Sequence, residues 1–142
     1  MDTPEQEPAP ATKRPGRRRK IVDSKKLTLQ WLAERGFLAQ DVETRIPHTF
    51  ITRDLFGIGD ILAIRDGHVL LIQACVGGGD PGRHIRKIRA NPKFPVVAAA
   101  MPVVLFAWRR VASKFGPPQL RPRKIHLRPD AMNPVDREPG VE

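Results

Sequence analysis

Apolar positions along the chain come in short runs separated by Gly, Pro and charge, and the spacing changes from helical to alternating and back. After Ser24, "KKLTLQWLAERG" places Leu27, Trp31 and Leu32 on one side of a helix. Ser24 is expected to cap its start, and Gly36 to take the left-handed position at its end. Residues 37–45, "FLAQDVETR", read as a turn into a strand, and residues 53–60, "RDLFGIGD", as a turn-rich loop. Next come two apolar runs, "DILAI" and "HVLLIQACV", separated by Arg65, Asp66 and Gly67. Asp-Gly between apolar runs is the strongest short-range hairpin signal.

In "GGGDPGRHIRKIRANP" a loop becomes a helix. Asp80 is expected as its cap and Pro81 at its first position, with Asn91 and Pro92 ending it. Ile85 and Ile88 face the core. A short helix over 96–101 and a strand "VVLFAWRR" follow, then a Pro-rich basic segment from Gly116 with a last strand at "RKIHL". Helix, strand, hairpin, helix, strand is the order of an α/β domain with a mixed sheet. Residues 24–128 are taken as that domain. Residues 1–23, with the run "KRPGRRRK", read as a disordered basic, Pro-rich arm able to touch phosphates, and 129–142 as a disordered tail.

Charge narrows the function. The 142 residues carry a net charge of +10. From 24 to 128 there are 18 Lys and Arg against 7 Asp and Glu, so the folded region itself is basic. Nucleic acid or an anionic membrane surface suits this better than a basic partner. The single cysteine, Cys75, excludes a disulfide framework and a multi-cysteine zinc site. The N-terminus has no apolar signal core, and the longest apolar run, residues 94–108, is interrupted by two prolines and too short to span a bilayer. A soluble, cytoplasmic protein without a membrane partner is expected.

The hairpin poses a chemical question. With Asp66 and Gly67 as loop residues, Arg65 faces His68, and the pairing runs back to Asp60 opposite Gln73 on one face of the sheet. Cys75 lies one step further on that face. A carboxylate and an amide oxygen are hard ligands suited to Mg²⁺. Glu43 supplies a third acid ahead of the hairpin, and Asp54 lies in the loop before it. A hard cation within a basic shell is what phosphodiester cleavage needs. The plainer alternative is that Asp60 bonds backbone amides of the Gly-Ile-Gly turn and Gln73 bonds Asp60. Cys75 reads as a small core residue and Trp108 as a packed one, although Trp108 beside Arg109 and Arg110 could also stack a base. Trp31 reads as core. His84 offers a base or a phosphate contact. "GGGD" at 77–80 lacks the Gly-Lys-Ser/Thr ending of a nucleotide loop.

Taken in order, "ERGF", "DLFGIGD", "QAC", "RKI" and "WRR" resemble the PD-(D/E)XK, or restriction-endonuclease-like, nuclease superfamily, and in particular small nuclease-like proteins of phages and mobile elements. The resemblance covers residues 24–112. It implies a mixed sheet flanked by helices and a Mg²⁺- or Mn²⁺-dependent DNA endonuclease. Asp60, Gln73 and Glu43 would hold the metal, and Lys87 would stand in for the catalytic lysine whose place Cys75 occupies. Arg83, Arg86, Lys87, Arg109 and Arg110 would bind the nucleic acid, with RNA not excluded. Proteins of this fold often form homodimers. The alternative is the same fold without catalysis, retaining only nucleic-acid binding.

Overall fold

The computed structural model describes residues 22–77 and 81–129. Its elements are α1 (Ser24–Glu34), β1 (Leu38–Asp41), β2 (Thr44–Arg45), β3 (Thr52–Arg53), β4 (Ile61–Arg65), β5 (His68–Val76), α2 (Gly82–Ala90), α3 (Phe94–Ala100), β6 (Val103–Ser113) and β7 (Gly116–Leu127). Five strands form one sheet in the order β1-β4-β5-β6-β7, and β2 pairs with β3 as a separate two-stranded finger. Only β5 and β6 run parallel; the other pairs in the sheet are antiparallel. A parallel pair needs a crossover, and α2 with α3 supplies it. The mixed α/β sheet flanked by helices is the architecture expected from the sequence.

The α1 side buries Leu32 against Ile61, Ala63, Ile72, Val104 and Phe106. The α2–α3 side buries Ile88, Phe94 and Val97 against Leu71, Cys75, Val103, Leu105 and Ile125. Alternate residues of β5 therefore serve opposite layers, as the two-residue strand period requires. The inner stripe of α1 differs from the expected one. Thr28 and Leu32 are buried, Leu29 and Trp31 pack beside them, and Leu27 is half-buried. Thr28 is tolerated because its hydroxyl donates to Ser24 O (2.7 Å) and accepts from Trp108 Nε1 (2.8 Å). Trp108 is thus a core residue that joins β6 to α1, and its ring is not available to stack a base.

Asp23, not Ser24, caps α1: its carboxylate accepts from Lys26 N at 3.1 Å, which leaves Ser24 as the first helical residue. The end of α1 matches expectation. Gly36 takes φ +78°, Gly36 N donates to Ala33 O, and Phe37 N donates to Leu32 O. The β4–β5 hairpin keeps the expected pairing from Arg65↔His68 to Ile61↔Ile72, but the expected pair of Asp60 with Gln73 is not formed, because Asp60 N donates to Ile72 O, the partner of Ile61. Asp66 (φ 50°) and Gly67 (φ 77°) both lie in the left-handed region, as a type I′ turn demands.

Pro81 sits at the cap of α2 rather than inside it, and Asn91 ends the helix as expected. The cap expected at Asp80, and Gly78 and Gly79 of the Gly-rich loop, lie outside the described residues, as do the N-terminal arm up to residue 21 and the tail from 130. The helix expected over 96–101 begins at Phe94, with Pro95 in its first turn. β7 is the largest departure: the segment expected as a loop with a strand only at its end is paired from Gly116 onward. Pro117, Pro118 and Pro122 are accommodated because β7 is an edge strand, the place in a sheet where proline is tolerated. Among the described residues no helix is long and apolar enough to cross a membrane.

Candidate functional site

The site forms where β4 begins. The backbone reaches it through a tight turn: Phe56 (φ 57°) and Gly57 (φ 70°) are left-handed, and Ile58 N donates to Leu55 O at 3.0 Å. Gly59 then passes so close to β5 that a Cβ there would lie 2.5 Å from Leu71 Cγ. That approach delivers Asp60 into the sheet. Its N–H donates to Ile72 O (2.9 Å), its carbonyl accepts from Val42 N (2.9 Å), and its Oδ1 accepts from Ala74 N (3.1 Å). Asp60 is only 6% exposed, one of the few polar side chains buried among the described residues.

Gln73, on β5, reaches the same turn. The amide orientation that satisfies both of its neighbours directs Nε2 to Asp54 Oδ2 (2.9 Å) and Ile58 O (2.7 Å). Gln73 thereby ties the loop, and Asp54 with it, onto the sheet. Asp54 is half-buried. Burial raises its pKa and the Glu43 charge adds to this, while Lys87 and Lys25 oppose both. Burial pushes Asp60 up to about 7; the Ala74 amide acts against this and the Asp54 charge adds to it. Two carboxylates thus share a poorly solvated corner and repel each other.

Glu43 lies on the rim. Its Oε2 is 2.9 Å from Lys25 Nζ, which also binds Asp41 Oδ2 at 2.8 Å. The Thr52 hydroxyl and Lys25 hold Glu43 below the usual carboxylate range. The acid that Gln73 holds, and whose charge most affects Asp60, is therefore Asp54, while Glu43 is engaged by Lys25. Among the described residues no group of three or more His, Cys, Asp or Glu side chains is arranged to hold a metal ion. The donor chemistry present is still that of a hard cation. Mg²⁺ commonly takes one or two carboxylates, with waters and substrate phosphate filling its other positions.

Lys87 is exposed on α2, and its charge reaches Asp54. Arg83 and Arg86 are exposed on the same helix, and His84 is half-buried there. Arg109 and Arg110 are exposed on β6 beyond Trp108, so the structure divides the predicted basic residues between α2 and the far end of β6. Cys75 is 6% exposed and packs in the α2–α3 layer. Burial, with a contribution from the Asp60 charge, pushes its thiol up to about 11, so it is neither a nucleophile nor a substitute for an ammonium.

Sequence reasoning took Asn91 only as a helix end, yet it holds the site together. Its Nδ2 donates to Phe56 O (3.0 Å) and Gly57 O (3.3 Å), fixing the turn before Asp60 to the end of α2. The signal for this lay in the turn: a left-handed Phe is an uncommon and costly conformation that persists when neighbours hold it. Compared with protein-family models, curated proteins and solved structures, the chain matches none.

Proposed function

We propose that this protein is a divalent-metal-dependent phosphodiesterase acting on DNA, an endonuclease of the PD-(D/E)XK type. The observation that carries the reading is the carboxylate pair of buried Asp60 and half-buried Asp54, the latter under the influence of the Lys87 charge, in a strongly basic domain. A desolvated pair of acids is costly for the fold, and a hard cation offsets that cost. Asp60 and Asp54 would hold Mg²⁺ or Mn²⁺, and Gln73 would orient Asp54. When bound, the ion would activate water and neutralise charge on the phosphate. Lys87 would steady the phosphate from α2. Arg83, Arg86, Arg109 and Arg110 would carry the backbone, which makes affinity fall with salt as counterions are released. On the rim the Glu43 charge adds to the rise of Asp54, and Lys25 partly offsets it. The cytoplasm, where a lone buried thiol meets no oxidant, is the compartment we infer.

A second reading, a catalytically silent nucleic-acid-binding protein, is favoured by one observation: Cys75 is an inert core thiol where the resemblance implies a lysine. The test that separates them is cleavage of labelled single-stranded, duplex and branched DNA with Mg²⁺ or Mn²⁺, beside Asp60→Ala. Metal-dependent cuts that vanish in the variant support the phosphodiesterase. Salt-sensitive binding with no cut on any substrate overturns it in favour of binding alone.

A further inference from the structure

β5 ends at Val76, paired with Trp108. Beyond that point, among the described residues, β6 has only β7 as a partner, with Arg109 opposite Arg121, Arg110 opposite Leu120, Val111 opposite Gln119 and a bulge before Ser113 opposite Gly116. The two strands leave the sheet as a ribbon of five residues in β6 and six in β7, reaching about 17 Å. Nearly every residue in it is exposed; only Val111 and Leu120 are half-covered. An isolated two-stranded ribbon is marginally stable, so this one stands out from the domain with little core of its own.

Its charges are unusual. From 81 to 129 the chain has twelve Lys and Arg and no Asp or Glu. Arg109 and Arg121 are directly opposed on one face, and like charges opposed across strands destabilise a sheet. By strand alternation those two share the α2 face with Ala107 and Ile125, while Arg110 lies on the α1 face with Phe106 and Trp108. Cations on both faces suit a slot with a polyanion on each side better than a flat anionic surface. At the tip Phe115 is 92% exposed, with Lys114 Nζ 5.7 Å from its ring. Pro117 and Pro118 remove N–H groups from the outer strand, which blocks it from recruiting a further strand.

We propose that this β6–β7 ribbon docks in the major groove of double-helical DNA and is the element by which the protein engages duplex substrate. The proposal rests on the reading of nucleic acid as the ligand. B-DNA's major groove, about 12 Å wide, admits a two-stranded ribbon, with phosphates along both walls for Arg109, Arg121 and Arg110 and base edges for the tip. The deep, narrow major groove of A-form RNA does not admit one.

The test uses the full chain in EDTA, so that no cleavage intervenes, and follows the anisotropy of a labelled duplex DNA, its single strand and a duplex RNA of the same sequence. Wild type is expected to prefer the DNA duplex by about tenfold or more. Arg109→Gln/Arg121→Gln is expected to reduce the slope of log affinity against log salt on that duplex by about two, one for each lost phosphate contact. Its thermal midpoint is expected not to fall, because the opposed like charges are gone. Phe115→Ala is expected to weaken duplex binding without changing the slope. Equal affinity for all three nucleic acids, or an unchanged slope in the double variant, overturns the proposal. Neither outcome touches metal-dependent cutting at Asp60, and a failure to cut leaves the ribbon's binding still measurable.

Discussion

The domain divides by charge at the end of β5. Residues 22–77 hold seven Asp and Glu against six Lys and Arg, whereas residues 81–129 hold twelve Lys and Arg and no acid. In the first half, ion pairs are made locally: Lys25 with Asp41 and Glu43, Arg65 with Asp66, Arg35 with Glu34. Residues 81–129 contain no Asp or Glu, and the nearest acids along the chain are Asp80 and Asp130. His126 registers that field: burial lowers its pKa, and Arg128 and Lys124 lower it further. The two halves divide the labour. The acidic half builds a corner that a cation would relieve, and the basic half presents a surface that a polyanion would relieve. Side chains such as Trp108, bonded to Thr28, and Asn91, bonded to the Phe56–Gly57 turn, link the two.

The largest break should come from the acidic half. Asp60→Ala should reduce metal-dependent cleavage by at least about 10³-fold. Its affinity for DNA in EDTA should stay close to wild type, because phosphate contacts belong to the other half. Cleavage rate and anisotropy on the same preparation check both points.

The same residue should control stability against pH. The folded pKa of Asp60, about 7, lies above the ordinary value of 3.8. The folded chain therefore binds the proton more tightly than the unfolded one. The contribution is fully present below about pH 4 and is lost as pH rises through 7, an effect of about 4 kcal/mol at most. Denaturant unfolding in EDTA should show stability falling across that window in wild type, with a flatter profile for Asp60→Asn. Added Mg²⁺ at neutral pH should restore stability to wild type only, by mass action.

Smaller effects fall on the links. Trp108→Phe leaves the ring volume nearly filled but deprives Thr28 of its donor, and should cost ~1–2 kcal/mol in chemical unfolding. Asn91→Ala should cost ~1 kcal/mol by the same measure, since it frees two carbonyls of the left-handed turn. It should also reduce cleavage, which Trp108→Phe should not, because only Asn91 touches the turn that carries Asp54 and Asp60. The smallest change returns an acid to the basic half. Arg121→Glu faces Arg109 and should stabilise the fold by ~0.2–1 kcal/mol while weakening DNA binding. A gain in melting temperature together with a loss of affinity would separate the two roles of that pair.

Much of this arrangement was legible in the chain. The hairpin register as far as Ile61↔Ile72 followed from Asp66 and Gly67, because a two-residue turn fixes the pairing next to it, whereas the break at Asp60 depends on the turn before it. The end of α1 followed from Gly36, and the burial of Cys75 and Trp108 from their place in apolar runs. β7 was missed because three prolines argue against a strand unless its edge position is known, and that position is a property of the sheet rather than of the segment. Asp54 was visible as an acid near the hairpin but could not be ranked above Glu43. The ranking depends on Gln73 reaching the loop and on Lys25 engaging Glu43, and both are contacts between distant parts of the chain. Asn91 was hidden for the same reason: its amide acts 35 residues back along the sequence.

The proposed function requires a divalent cation at Asp60 and Asp54. The most direct measurement is the paramagnetic signal of free Mn²⁺ as protein is added without DNA at neutral pH, for wild type, Asp60→Asn and Asp54→Asn. Wild type is expected to remove Mn²⁺ from the free pool with a single saturable site, and either substitution is expected to abolish the removal. An undiminished signal with wild type, or equal removal by Asp60→Asn, would contradict the proposed function and leave the buried acids as parts of the fold alone.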